Sequence, residues 1–123
     1  MEIKKYFFDS YAIVEIVKGN PNYAEFIDEP VTITVFNLAE IYWSAILNLD
    51  EKKSEDVYKK YSPCITVISD DILKEAMKFR KENKKQDLSY TDCIGYIYAK
   101  NNDLIFLTGD KEFENMDNVE FVK

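Results

Sequence analysis

Short apolar runs alternate along this chain with longer stretches in which apolar residues recur at helical spacing. "IKKYFF" (3–8) reads as a strand that ends at Asp9. "SYAIVEIVKGN" follows as a short helix, stopped by Gly19-Asn20 in the manner of a C-terminal cap. Pro21 opens a second helical stretch, "PNYAEFIDE", and after Pro30 the β-branched run "VTITV" predicts the second strand. In "NLAEIYWSAILNL", Leu38, Ile41, Tyr42, Ala45, Ile46 and Leu49 fall close to one helical face. "EKKSEDVYKKY" is a polar helix with a thin apolar edge, and "CITVI" is the third predicted strand. "SDDILKEAMKFRKENKK" predicts a helix with Ser69 as N-cap and acids in its first turn. "SYTDCIGYIYAKNN" is the last helix, "LIFLT" the fourth strand, and "NVEFVK" a short edge strand.

Strands separated by helices point to an α/β fold: a mainly parallel central sheet of four to five strands with helices on both faces. The length of 123 residues suits one domain, 1–123, and three Gly and three Pro leave little room for flexible linkers. The N-terminal stretch lacks the uninterrupted apolar segment of a signal peptide. No segment approaches the ~20 apolar residues of a membrane span, so a cytoplasmic location and no membrane partner are expected.

Cys64 and Cys93 show no metal-ligand spacing and sit in apolar runs, where buried, reduced thiols are expected. The chain has no histidine, which removes His-based triads, His-type zinc sites and imidazole general bases. Any catalysis must use carboxylates, lysines, hydroxyls or bound metal. The net charge of −7 argues against a dedicated DNA-binding module. It leaves nucleic-acid chemistry open, because cations held by converging acids reverse the local field. Lys74, Lys78, Arg80, Lys81, Lys84 and Lys85 cluster in one stretch, either a solvated helix face or an edge that tracks phosphates.

In open parallel sheets, ligands bind beyond the carboxyl ends of the strands. Asp9 directly follows the first predicted strand, and Asp110 follows the fourth, two residues after Thr108. Asp92 falls in the first turn of the helix that begins near Ser89, and Glu40 in the first turn or so of the helix after the second strand. Short connections would put all four at one edge. Each acid alone has a plainer reading: Asp9 and Asp110 as caps, Ser89-x-x-Asp92 as a capping box, Glu40 as an acid favoured near a helix N-terminus. Together and without positive partners they would repel one another, a cost that divalent cations relieve. Mg²⁺ and Mn²⁺ suit carboxylate oxygens.

Through "FFDSY", "NLAEIYW" and "LSYTDCIGYIYAKNNDLIFLTGDKEF" the chain resembles the PIN domain family, especially its small VapC-type toxin ribonucleases. The likeness runs from near residue 3 to about residue 122. It implies that Asp9, Glu40, Asp92 and Asp110 are catalytic and bind metal, one or two ions of Mg²⁺ or Mn²⁺, with Ser10 and Thr108 as supporting hydroxyls. It also implies hydrolysis of single-stranded RNA, an antitoxin protein as partner in a type II toxin–antitoxin pair, and a homodimer. The acidity and the single arginine, Arg80, favour a second expectation, a PIN-like binding or assembly module with little turnover. A receiver domain is disfavoured, because Asp9 is followed by Ser10 rather than by a second acid. Tyr11, Tyr42 and Trp43 are candidates for base stacking or for the core, and Trp43 and Phe79 for an apolar groove that takes a partner.

Overall fold

A computed structural model describes residues 3–123. Its sheet has three strands, β1 (Tyr6–Phe8), β2 (Ile105–Thr108) and β3 (Val119–Phe121), in the order β1-β2-β3 and parallel throughout. Phe7 pairs with Phe106, and Leu107 with Glu120. Strand side chains alternate between faces, so Tyr6, Phe8 and Leu107 enter one core while Phe7 and Phe106 enter another.

The first core is covered by α1 (Ser10–Lys18), α2 (Val35–Asn48) and α3 (Glu51–Tyr61), with a 3₁₀ turn at Pro21–Phe26 in place of the second predicted helix. Ala12, Ile13, Leu38, Ile41 and Tyr61 fill it. The second core is covered by α4 (Asp70–Glu82) and α5 (Tyr90–Asn101), which contribute Ala76, Cys93, Ile94, Tyr96 and Ile97. Gly95 lets α5 approach the sheet, since a Cβ there would lie 2.7 Å from the Phe7 ring. Gly19, at φ 82°, ends α1 in the left-handed conformation that its missing side chain permits.

Among the described residues the four to five expected strands become three. "VTITV" and "CITVI" keep extended backbone, but they meet in a single parallel bridge, Ile33 to Ile65. Thr34 is the N-cap of α2 and gives its N–H to the Asn37 side chain, which ends the first run before it can form a ladder. A 3₁₀ turn at Ser62–Cys64 delays the second run until Ile65. Phe8 nonetheless donates its N–H to the Thr32 carbonyl at 3.0 Å, on the side of β1 away from β2. The two extended segments therefore continue the sheet edge without the length of strands.

Both cysteines are free thiols; Cys93 is buried, Cys64 half-buried. Among the described residues, no helix is long and apolar enough to cross a membrane.

Candidate functional site

The parallel sheet carries β1 and β2 to the same edge, where the chain continues as Asp9 and as Thr108-Gly109-Asp110. Asp9 is the N-cap of α1, and its Oδ1 accepts the Ser10 N–H at 2.8 Å. Its Oδ2 accepts the hydroxyl of Thr108 at 2.7 Å. Thr108 is fully buried and its Oγ1 also accepts the N–H of Asp110 at 3.0 Å. One hydroxyl thus ties the ends of two strands together. Asp110 caps a short 3₁₀ turn at Lys111–Phe113, its Oδ1 accepting the Glu112 N–H.

Ser10 reaches the other way. Its hydroxyl donates to Glu40 Oε1 at 2.6 Å and accepts from Asn37 Nδ2 at 2.9 Å. Asn37 is buried, and its Oδ1 accepts from both the Thr34 N–H and the Thr34 hydroxyl. Glu40 stands in the second turn of α2 rather than the first, because the helix begins at Val35. Asp92 sits in the capping box of α5: Ser89 N–H donates to its Oδ2 at 2.9 Å and Ser89 Oγ accepts its N–H at 3.0 Å. Its Oδ1 is left outside that box.

Electrostatics ties these groups to one another. Asp9 is wholly buried, and burial is the main force pushing its carboxyl up to about 8. The charge of Asp92 adds to the rise, as does Glu40 more weakly, while the bonds from Thr108 and Ser10 oppose it. Asp92 is pushed up to about 6, again mainly by burial, against the two Ser89 bonds and with Asp110 and Glu40 contributing. A helix N-terminus favours an ionised acid, but at Asp9 and Asp92 desolvation outweighs it. The ion pairs among the described residues, Lys18–Glu15 and Lys100–Asp117, lie elsewhere.

The donor chemistry of four carboxylates and two hydroxyls fits a hard divalent cation. As they stand, no three Asp, Glu or Cys side chains among the described residues close around one point. The like charges of buried Asp9 and half-buried Asp92 are what a bound cation would relieve.

A further acid, Asp117, and the aromatic candidates go elsewhere. Asp117 accepts the Tyr96 hydroxyl at 2.6 Å and pairs with Lys100, and these contacts hold its carboxyl low. The Tyr11 ring packs over Gly109, and Tyr42 donates to Glu55. Phe79 is half-buried against Tyr96, at 5.1 Å between centroids, so it belongs to the core rather than to a surface groove. Trp43 is exposed. Asn37 went unnoticed in the sequence; the signal was Thr34-x-x-Asn37, a capping-box spacing that places a buried amide one turn before Glu40.

Solved structures share this architecture. A toxin–antitoxin complex from Klebsiella pneumoniae aligns at TM-score 0.73 and 20% identity, over 94% of this chain and 96% of that one. VapC20 from Mycobacterium tuberculosis, a sarcin–ricin loop cleaving toxin, aligns at 0.76 and 13%, over 97% and 100%. VapBC2 from Rickettsia felis, bound to a DNA fragment from its promoter, aligns at 0.70 and 13%, over 96% and 98%. At these identities the likeness is one of fold. No curated protein matches the chain. The family model of the PIN domain matches residues 6–119, nearly the whole chain, with Asp9, Glu40, Asp92 and Asp110 all inside the match. The chain belongs to the PIN domain family.

Proposed function

We propose that this protein is a metal-dependent endoribonuclease that hydrolyses phosphodiester bonds in single-stranded RNA, and that it is the toxin of a type II toxin–antitoxin pair. The observation that carries the reading is Asp9: a wholly buried carboxylate, pinned at both oxygens, beside Asp92 and Glu40, with no cationic side chain among the described residues paired to any of them. Family membership and neighbours described as toxins support it.

Asp9, Glu40, Asp92 and Asp110 would hold one or two Mg²⁺ or Mn²⁺ ions. The chemistry supplied by such a cation when bound is neutralisation of the acids, activation of water and stabilisation of charge on the phosphate. The chain's own groups prepare the place for it. Thr108 and the Ser10 N–H fix both oxygens of Asp9, and Ser10 aims Glu40 while Asn37 holds Ser10. Asp92 keeps Oδ1 free for a ligand or a proton, because Ser89 occupies Oδ2 alone. No histidine is needed for this chemistry, and the chain has none.

The proposed antitoxin covers exposed apolar residues of α2, where Trp43 and Leu47 are each 61% exposed, and the homodimer is part of the same proposal. A second reading, a binding module with little turnover, is favoured by the acidic surface with its single arginine and by the lack, among the described residues, of three carboxylates around one point. The deciding experiment is RNA cleavage by wild type and Asp92→Asn with Mg²⁺, Mn²⁺ or EDTA. The nuclease reading expects cleavage that stops with EDTA and with the substitution. Cleavage that survives Asp92→Asn sinks the assigned site, and a metal-replete protein that binds a partner but cuts nothing favours the second reading.

A further inference from the structure

Tyr90 opens α5, one residue after its N-cap Ser89; Asp92 follows two residues later, about 3 Å along the helix axis and on nearly the opposite side of the helix. The residues that follow it, from Cys93 to Ile97, are buried, yet Tyr90 is 62% exposed. One face of its ring is occupied: the guanidinium carbon of Arg80, on α4, lies 4.4 Å from the ring centroid. That guanidinium is itself anchored, since Arg80 Nε donates to the Leu88 carbonyl at 3.0 Å. Beside the pair lies a recess lined by Arg80, Lys84, Gln86 and Leu88, and the neighbouring Lys81, Lys84 and Lys85 are all exposed. This is a local positive edge on a chain of net charge −7.

We infer that Arg80 and Tyr90 form a nucleotide subsite that holds single-stranded RNA across the first turn of α5 from Asp92, so that the strand runs over the helix start into the acidic centre. The inference rests on the ribonuclease reading and assigns the residues that would hold its substrate. A nucleobase stacks on the open face of Tyr90. Arg80 backs the ring by cation–π attraction, which reduces the ordering cost of stacking on it, and its terminal N–H groups together with Lys84 take the adjoining phosphate. Aromatic stacking beside a basic edge is the usual way single strands are held without sequence readout. Other exposed aromatic side chains lack this setting. Trp43 stands among the exposed apolar residues Ile46 and Leu47, and Tyr58 packs edge-on against Tyr42.

The probe is a fluorescein-labelled oligouridylate of about ten nucleotides, followed by anisotropy in EDTA and by cleavage in Mn²⁺. It is compared across wild type, Tyr90→Ala, Tyr90→Phe and Arg80→Gln, each checked for folding by circular dichroism. Loss of one stacked base is expected to weaken Tyr90→Ala binding about tenfold to hundredfold, and to raise KM more than it lowers kcat. Tyr90→Phe should bind within about threefold of wild type, and Arg80→Gln should fall between and show a shallower salt dependence. Tyr90→Ala binding and cleaving like a wild type that does both overturns the subsite and leaves the nuclease reading standing. Tyr90-dependent binding without cleavage supports the subsite and sinks the nuclease reading. A wild type that neither binds the oligonucleotide in EDTA nor cleaves it in Mn²⁺ overturns both.

Discussion

The Ser10 hydroxyl donates to Glu40 at 2.6 Å while it accepts from the buried Asn37 amide at 2.9 Å. A residue next to Asp9 on one element is thereby coupled to an acid on another, α2, and the buried amide sets the direction of the hydrogen bond. With both Asn37 amide hydrogens on the donor side, Ser10 has only its own proton left to offer, and it offers it to Glu40.

Replacing Ser10 with Ala should therefore leave Glu40 without its donor and Asn37 without its acceptor. A hydrogen bond to a charged group contributes about 1.5–3 kcal/mol where it is buried, and Glu40 is exposed, so the smaller end applies. RNA cleavage should fall about tenfold, and the unpaired amide of buried Asn37 should cost about 1–3 kcal/mol of stability. Asn37→Leu reaches further, because the N–H and hydroxyl of Thr34 lose their acceptor inside the core. Equilibrium urea unfolding should show a loss of about 2–4 kcal/mol for that variant. A wild-type midpoint would remove the network from the account.

The raised carboxyls of Asp9 and Asp92 fix the sign of the pH dependence in metal-free protein. Between an ordinary carboxylate value near 3.8 and about 8, folded Asp9 binds its proton more fully than the unfolded chain does. Stability contributed by these two groups is then complete at low pH and lost as pH rises, through about 6 for Asp92 and about 8 for Asp9. Thermal melts in EDTA from pH 5 to about 8.5 should thus show a falling contribution from the site. Added Mn²⁺ should raise the midpoint more at the upper end than at the lower, since the cation competes with protons for the same oxygens. A Mn²⁺ effect that is flat with pH would count against these acids as its ligands.

Asp92→Asn separates stability from activity. The amide oxygen can still accept the Ser89 N–H, so the capping box survives, while a half-buried like charge facing Asp9, Asp110 and Glu40 disappears. At pH 8 in EDTA the variant should be more stable than wild type by about 1–3 kcal/mol, read by urea unfolding. The stabilising effect of Mn²⁺ should shrink in the same protein. A variant less stable than wild type in EDTA would mean that the Asp92 carboxylate serves its helix more than it strains the site.

How far these relationships were legible depends on what each one rests on. The helices were readable because their signals are local: Gly19 ends α1, Ser69 caps α4, and Ser89 and Asp92 close the box that opens α5. Asp9 and Asp110 were placed at one edge because they follow apolar runs that become parallel strands. The count of strands was not readable, since "VTITV" has the right residues but loses its length to the Thr34 cap, a choice made by Asn37 three residues later. Nor was the exposure of the aromatics. Tyr11, Tyr42 and Tyr90 look alike in sequence, and only packing sends Tyr11 over Gly109, Tyr42 to Glu55 and Tyr90 toward solvent beside Arg80. Asn37 was hidden for a similar reason, a polar residue in an apolar helix whose partner, Ser10, lies 27 positions away.

Gly109 offers the most local test of the link between β2 and the site. It separates Thr108, which holds Asp9, from Asp110, and a Cβ at this position would collide with the Tyr11 ring and with the Val122 carbonyl. The ring could swing aside, but the carbonyl is backbone, held in place by the Val122 N–H bond to Thr108 at 2.9 Å. Gly109→Ala must therefore shift the Thr108–Asp110 turn itself. Overpacking of this kind costs about 1–3 kcal/mol, so the variant should still fold. Its cleavage rate should drop about a hundredfold, because displacements of ~1 Å at positioned groups cost that much. Tyr11→Ala added to Gly109→Ala should recover stability but little activity, since it relieves the ring and not the carbonyl. Full recovery of cleavage in the double variant would show that the ring alone makes this glycine necessary.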